Sequence, residues 1–421
     1  MNKTFVRAAF STMLLCGVAT AAMTAAPAYA ADKAPAGPKA SHAVGVELQA
    51  AITAVQAKDY ATAKTHIVAA RALPSPTDVD TIDIDIVDAY VAMGENDHPR
   101  LLTLYKGIVA SPLFTQVQKP DEQAGTLKNL MLLQMETKDY PGAVQTGERI
   151  ASSGLLDDKT ASSLATAYYM SKDYAKARAL AQKSIDAAKA GNAKPAQAAL
   201  QILFNSYADD NNQNGARDAL EMMIQYYPEP NSWAKLIDNF DMHGLSDMQI
   251  LQLYRLRVLS GATGDLTDYT IGSDQAMKSG YPGDARSMLQ AAQSRGVAGV
   301  GPKLAAAQAK ASGDEKTLGA NDAAAAKAGN GVMDVLVAEQ YYGYGRYDEA
   351  VTAAKRAIAK GGVKDPEEPK MIVGMALAAG GKYADAITAL NQVGGSEKQK
   401  RLAHLWVLYA QSKMAPAPAA Q

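Results

Sequence analysis

Cysteine is almost missing from this chain of 421 residues: the single copy, Cys16, lies near the start. For everything after it, disulfides and thiolate metal sites are excluded, so stability has to come from packing. An excess of charge of either sign is missing as well, since 42 Lys and Arg stand against 43 Asp and Glu. That balance gives no electrostatic reason to bind nucleic acid or an anionic membrane surface. The five histidines, His42, His66, His98, His243 and His404, are scattered and lack the close spacing of a zinc site. Gly-rich phosphate loops, nucleophile elbows and zinc-protease helix motifs are absent. Nothing in the sequence therefore points to an enzyme, and the expectation is a protein without catalytic residues or a required cofactor. What is abundant is apolar: 48% of residues are hydrophobic, a proportion typical of a folded chain.

Residues Met1 to Ala30 read as a removable export signal. Lys3 and Arg7 supply the positive start, Met13 to Met23 is mostly apolar, and Ala28-Tyr29-Ala30 offers small residues at a cleavage point. A membrane-spanning helix needs about 20 apolar residues without interruption. Ser11, Thr12, Thr20 and Thr24 dilute this segment and Pro27 closes it. Lipid attachment at Cys16 calls for a small residue before the thiol, and Leu15 is not small. The expected mature chain begins at Ala31, carries a formal charge of −3 once Lys3 and Arg7 are gone, and works in the periplasm or outside the cell. Residues 31–42 are a Pro- and Ala-rich linker and 414–421 a similar tail.

Between them a helical phrase recurs. Tyr168 precedes Ala177 by nine residues, and Tyr207 with Ala216 and Tyr341 with Ala350 repeat the interval. Taking as markers the small residues Ala63, Ala143, Ala177, Ala216, Ala285, Ala350 and Ala386, the gaps are 80, 34, 39, 69, 65 and 36 residues. Each is close to one or two units of about 35 residues, the length of a two-helix repeat. The three double gaps predict further turns at Gly94 to Pro99, His243 to Asp247 and Ser312 to Glu315. The expected architecture is an all-α solenoid of about ten antiparallel helix pairs over residues 43–395. A helix at 396–413, with Leu402, Leu405, Trp406 and Tyr409 on one face, would seal the open end.

The turns themselves are near copies: Lys58-Asp59-Tyr60, Lys138-Asp139-Tyr140, Lys172-Asp173-Tyr174, Gly345-Arg346-Tyr347 and Gly381-Lys382-Tyr383. With Leu164-Ala165 and Tyr168 before Tyr174 and Ala177, and Val337-Ala338 and Tyr341 before Tyr347 and Ala350, the chain resembles the tetratricopeptide repeat family. The last repeat departs from the pattern by placing Leu377 where Tyr is expected. The related Sel1-like solenoids share the period. The resemblance implies a protein without its own chemistry whose first helices line an inner groove. Carried over residue by residue, that groove holds Leu132, Met135, Thr166, Tyr169, Asn205, Asp274, Met277, Glu339, Tyr342 and Met375. Such a mixture of Tyr, Met and single polar groups suits an extended peptide or a partner's helix. The Lys and Asn pairs that clamp a peptide carboxylate in some family members are not at these positions, which disfavours a chaperone-tail receptor.

Two stretches offer other chemistry. Residues 210–221 match the twelve-residue calcium-loop pattern, with oxygen donors at Asp210, Asn212, Asn214, Asp218 and Glu221 and a turn at Gly215. The repeat register competes with it: Tyr207 and Ala216 keep the nine-residue interval, so a helix would carry Glu221 away from the other donors. An Asx-rich interhelical turn is the preferred reading. The acidic run Asp78 to Asp88 reads as a solvated helix face, because Val79, Ile82, Ile86 and Ala89 share one side. The Tyr341 to Tyr347 cluster raises a glycan site, with Tyr342 and Tyr344 as the rings left for stacking. A wall-cleaving hydrolase would need a further catalytic domain, and after Gly395 there is room only for one helix and a tail. The leading expectation is a scaffold for a protein partner in the cell envelope; the alternative is a module that binds envelope glycan or calcium.

Overall fold

The computed structural model describes residues 38–414, and every regular element in that range is a helix. The export segment, most of the linker and nearly all of the tail lie outside the described residues. By their contacts the described residues divide into two compact units, with the boundary between Ser184 and Ile185. Within the first, the helices are α1 (His42–Gln56), α2 (Tyr60–Arg71), α3 (Asp78–Glu95), α4 (His98–Ala110), a short α5 (Phe114–Val117), α6 (Pro120–Glu136), α7 (Tyr140–Ser152) and α8 (Asp158–Met170); α9 (Tyr174–Ala190) contains the boundary. The second holds α10 (Gln197–Asp209), α11 (Gln213–Tyr226), α12 (Pro230–Asp238), α13 (Asp247–Ser260), α14 (Leu266–Lys278), α15 (Pro282–Ser294), α16 (Gly301–Lys327), α17 (Val332–Gly343), α18 (Tyr347–Lys360), α19 (Glu367–Ala379), α20 (Tyr383–Leu390) and α21 (Glu397–Met414). Among the described residues these make nine hairpins, with α5, α16 and α21 outside the pairing.

One turn builds most of the hairpins, and it explains the nine-residue interval. In α8/α9, Lys172 adopts a left-handed backbone at φ 64°, and the Asp173 N–H donates back to the Tyr168 carbonyl at 2.9 Å. This is a helix C-cap closed by a bond spanning five residues. Asp173 then starts the next helix: its side chain accepts from Lys176 N–H and its carbonyl from Ala177 N–H. Five residues from Tyr to cap and four from cap to Ala give nine. The same bond runs from Asp59 to Ala54, Asp97 to Ala92, Asp139 to Gln134, Asn212 to Tyr207, Tyr281 to Ala276, Arg346 to Tyr341 and Lys382 to Leu377. The small residue four places on packs against the partner helix and is fully buried at Ala63, Ala143, Ala177, Ala285, Ala350 and Ala386; only Ala216 stays partly exposed.

The acidic run is less solvated than its pattern implies. Asp80 is buried and accepts from Thr77 N–H at 2.8 Å and from Ser41 N–H at 2.6 Å, so it caps α3 and ties the start of α1 to it. Asp88 is buried between Arg71 and Arg100. Paired and hydrogen-bonded in this way, a carboxylate tolerates burial.

Two of the three predicted hidden turns are present, between α3 and α4 and between α12 and α13. The third is not: Ser312 to Glu315 lies inside α16, a continuous helix of 27 residues. Its Ala-rich sequence favours helix strongly enough to absorb Gly313, which costs only about 1 kcal/mol in a helix. Because α16 is a lone helix between the hairpins α14/α15 and α17/α18, the member of the pair facing inward changes. Helix α15, second in its pair, and α17, first in its pair, fall on the same side and pack together. Helices α13, α15, α17, α19 and α21 each touch the next, and α21 touches α13 again, so in this unit the inner helices close a ring.

Helix α21 covers the last hairpin, as expected, and is also the closing element. It packs on α19 and α20 and also on α11 and α13. Tyr409 meets Trp233 of α12 edge-on at 6.2 Å between ring centroids and Trp406 at 6.1 Å. Lys398 pairs with Asp241 at 2.6 Å, while Arg401 and His404 both pair with Glu221 of α11. One apolar core, from Leu220 and Trp233 through Val337 and Ile372 to Leu405 and Trp406, runs across the closure.

Candidate functional site

In the first unit the carried-over positions form an accessible face. Helices α6 and α8, first members of adjacent hairpins, pack side by side. Leu132 is 55% exposed and Met170 42%, while Met135, Thr166 and Tyr169 are half-buried. The Tyr169 ring lies beside Tyr174 at 5.8 Å between centroids, tilted by 46°. An exposed Leu of this kind, flanked by Met and Tyr, is the sort of surface on which a partner buries apolar side chains.

In the second unit most of the predicted groove is interior. Glu339, Tyr342 and Met375 are buried, Glu339 with no exposed surface at all. The ring fills the space that an open groove would leave. Arg255 of α13 donates to both carboxylate oxygens of Asp284 on α15, at 2.8 and 2.7 Å, and pairs with Glu339 of α17. The guanidinium stacks on the Tyr342 ring at 4.2 Å. Burial opposes its charge, but Asp284 and Glu339 outweigh that and hold its pKa well above the ordinary value. Burial raises the Glu339 carboxyl, and Arg255 offsets the rise only in part. Of the remaining positions, Asp274 and Met277 lie on α14, which the lone α16 leaves outside the ring. Asp274 pairs with Lys303 at 2.7 Å, and Met277 is half-buried. Asn205 is half-buried and accepts from Gln201 at 2.7 Å.

Residues 210–221 take the interhelical turn that the repeat register favoured over a calcium loop. Helix α11 begins at Gln213, so Asn214, Asp218 and Glu221 are helical. Asn212 is its N-cap and accepts from Gly215 N–H at 2.9 Å, and Asn211 supplies the left-handed turn residue after Asp210. Glu221 faces α21, where burial works against its charge but His404 and Arg401 prevail and keep its pKa below the usual value. A ring of oxygens around one point is not formed. Tyr faces for a sugar are equally taken: Arg255 lies over Tyr342 and Arg286 over Tyr344, whose hydroxyl donates to Asp314 at 2.7 Å. Among the described residues no group of three or more His, Cys, Asp or Glu is placed to hold a metal ion, and no helix is long and apolar enough to cross a membrane.

A feature not expected from the sequence is a cavity of about 390 Å³ in the second unit, where the starts of α13, α19 and α21 converge. Met248, Met371, Val393 and Leu402 form an apolar wall. Most polar lining groups are engaged: Gln399 donates to Asp365 at 2.7 Å, and Glu367 accepts from Lys370 at 2.9 Å and from Gly394 N–H at 2.5 Å. The Glu368 side chain is the one carboxylate of the lining with no hydrogen bond or ion pair among the described residues; its backbone N–H donates to the Asp365 carbonyl at 3.3 Å. Burial, then the charges of Glu339 and Asp365, push its pKa up to about 7, against the pull of Arg255. Gln252, only 2% exposed, lines the floor between this cavity and Glu339. The sequence signal for the neighbouring buried network was three polar residues, Gln252, Arg255 and Arg257, within the mostly apolar stretch Leu251 to Leu259 of α13.

No family description matches the chain, and no curated protein matches it either. Solved structures do resemble it. One, of Naa15/Naa10 bound to HypK-THB, is 13% identical at a TM-score of 0.28, matching 83% of this chain and 63% of that one, so this chain spans less than two thirds of its length. Yeast Tom70 is 11% identical with a TM-score of 0.22, covering 88% of this chain and 96% of the other. The Cut9-Hcn1 hetero-tetramer of APC/C gives 11% and 0.21, with 86% and 83% covered.

Proposed function

We propose that this is a non-enzymatic scaffold of tetratricopeptide-like helix pairs that binds a protein partner in the cell envelope through the α6/α8 face of its first unit. The observation that carries the reading is the exposure of Leu132 and Met170 beside half-buried Met135, Thr166 and Tyr169 on neighbouring first helices. The partner chemistry that fits is an extended segment or short helix presenting apolar side chains at intervals, since Leu132 and Met170 stand exposed on this face, with the Lys128–Asp157 ion pair one turn from Leu132. The envelope setting rests on the Met1 to Ala30 segment. In the host that expresses the chain, N-terminal sequencing of the exported form should begin at Ala31; retention of Met1 would remove the envelope part of the proposal.

A photoreactive side chain placed at Leu132 tests the surface, with one at exposed Gln145 on α7 as the reference. A discrete crosslinked protein at Leu132 only, lost on Tyr169→Ala, is the expected outcome. Equal labelling at both positions, or none at Leu132, would contradict a partner on this face.

A further inference from the structure

We infer that the cavity between α13, α19 and α21 is a binding site for a small organic cation, an amine or guanidine carried on an apolar stem, whose charged head pairs with Glu368. This is independent of the partner surface on the first unit.

The size is appropriate: about 390 Å³ falls within the range of small-molecule pockets. The lining is two-sided. Met248, Met371, Val393 and Leu402 can cover a stem of several carbons, and Glu368 is the one lining carboxylate with no partner. Asp365 and Glu367 cannot substitute for it, because Gln399, Lys370 and the Gly394 N–H already occupy them. Lys370 and the Gly394 N–H already balance Glu367, and the three helix starts bring positive dipole ends to the cavity, so the preference for a cation rests on the unpaired carboxylate of Glu368. A neutral apolar ligand would leave Glu368 buried further and still unpaired, which is costly.

The charges around Glu368 set a pH dependence. On its own helix and the approach to it stand Asp365, Glu367 and Lys364; from α17 comes Glu339, from α13 Arg255, from the start of α15 Tyr281, and from α21 only the neutral Gln399 and Leu402 line the site. With its pKa at about 7, Glu368 is mostly protonated at pH 6 and mostly ionised at pH 8. A cation prefers the ionised form, so binding should tighten as pH rises and release a proton when it occurs below the pKa.

Calorimetry on the full chain with n-hexylamine, hexanoate and 1-hexanol tests this. The expected result is binding of hexylamine alone, about tenfold tighter at pH 8 than at pH 6. Glu368→Gln should weaken it by about tenfold or more and abolish the pH dependence. Gln is the shape of the protonated acid, so this variant should fold; Met248→Trp, which narrows the cavity and keeps the carboxylate, provides a second block. No hexylamine binding, equal binding of hexanoate, or unchanged affinity in both variants would overturn the assignment.

Discussion

At the scale of single residues, the hairpin turn divides its work between two neighbours, and their replacement should shift stability in opposite directions. Asp139 caps α7 by accepting from Gly142 N–H at 3.1 Å, and Lys138 before it sits at φ 61°, a backbone region that glycine enters at no steric cost. Asp139→Ala should lose about 1 kcal/mol, and Lys138→Gly should gain about 0.5 kcal/mol once relief of the left-handed strain is set against glycine's greater entropy in the unfolded chain. Urea titration of both variants checks the pair. Arg255 carries a larger stake: Arg255→Met leaves Asp284 and Glu339 buried without a counter-charge and should cost about 3–5 kcal/mol at neutral pH. Glu368 adds a pH term. Its folded pKa of about 7 lies above its ordinary 4.5, so the folded state holds the proton more tightly. Stability is lost as pH rises from 4.5 through 7. Glu368→Gln should therefore match wild type at pH 4.5 and exceed it by about 1–2 kcal/mol at pH 8, a figure reduced for the carboxylate's partial exposure. Melting curves at the two pH values would expose the wrong sign at once.

At the scale of elements, the sequence was readable wherever a turn used a local rule. The Asp caps, the left-handed Lys, Asn or Gly before them and the buried Ala four residues on are all set within about ten residues of chain, and so are the α3/α4 and α12/α13 turns. Ser312 to Glu315 misled because the same Ser, Gly and Asp that favour a turn are tolerated inside an Ala-rich helix, and Asp314 is there to accept from Tyr344 and Gln340. That one misplaced turn moved the inward register of the second unit, which is why Asp274 and Met277 are outside the ring and Glu339 and Tyr342 buried within it. The accessible face at Leu132 and Tyr169 lies ahead of the irregularity and kept its register. Helix-to-helix approach in the ring is equally specific. A Cβ on Gly343 would stand 2.9 Å from the Asp284 backbone nitrogen and 2.6 Å from its carboxylate, so α17 and α15 would have to separate. Gly343→Ala should lose about 2–3 kcal/mol despite its better helix propensity, by overpacking against backbone; a neutral or stabilising effect in a denaturation curve would mean that the two helices have room to part.

At the scale of the molecule, the central claim is that helix α21 completes a closed unit and does more than cover the end of an open stack. Its contacts with Glu221, Asp241 and Trp233 lie far back along the chain, and the Arg255 network, built from α13, α15 and α17, is buried within the ring that α21 closes. Closure also leaves the first unit as the part whose first-helix face is accessible, which is the basis of the proposed partner surface. Hydrogen exchange followed by mass spectrometry, comparing the full chain with one ending at Gly395, reads the claim directly. Loss of protection in α11, α12 and α13 together with α19 and α20, while α1 to α8 keep theirs, is the predicted result. Loss confined to α19 and α20 would show that α21 is only an end cap and that the ring is not what holds the second unit together.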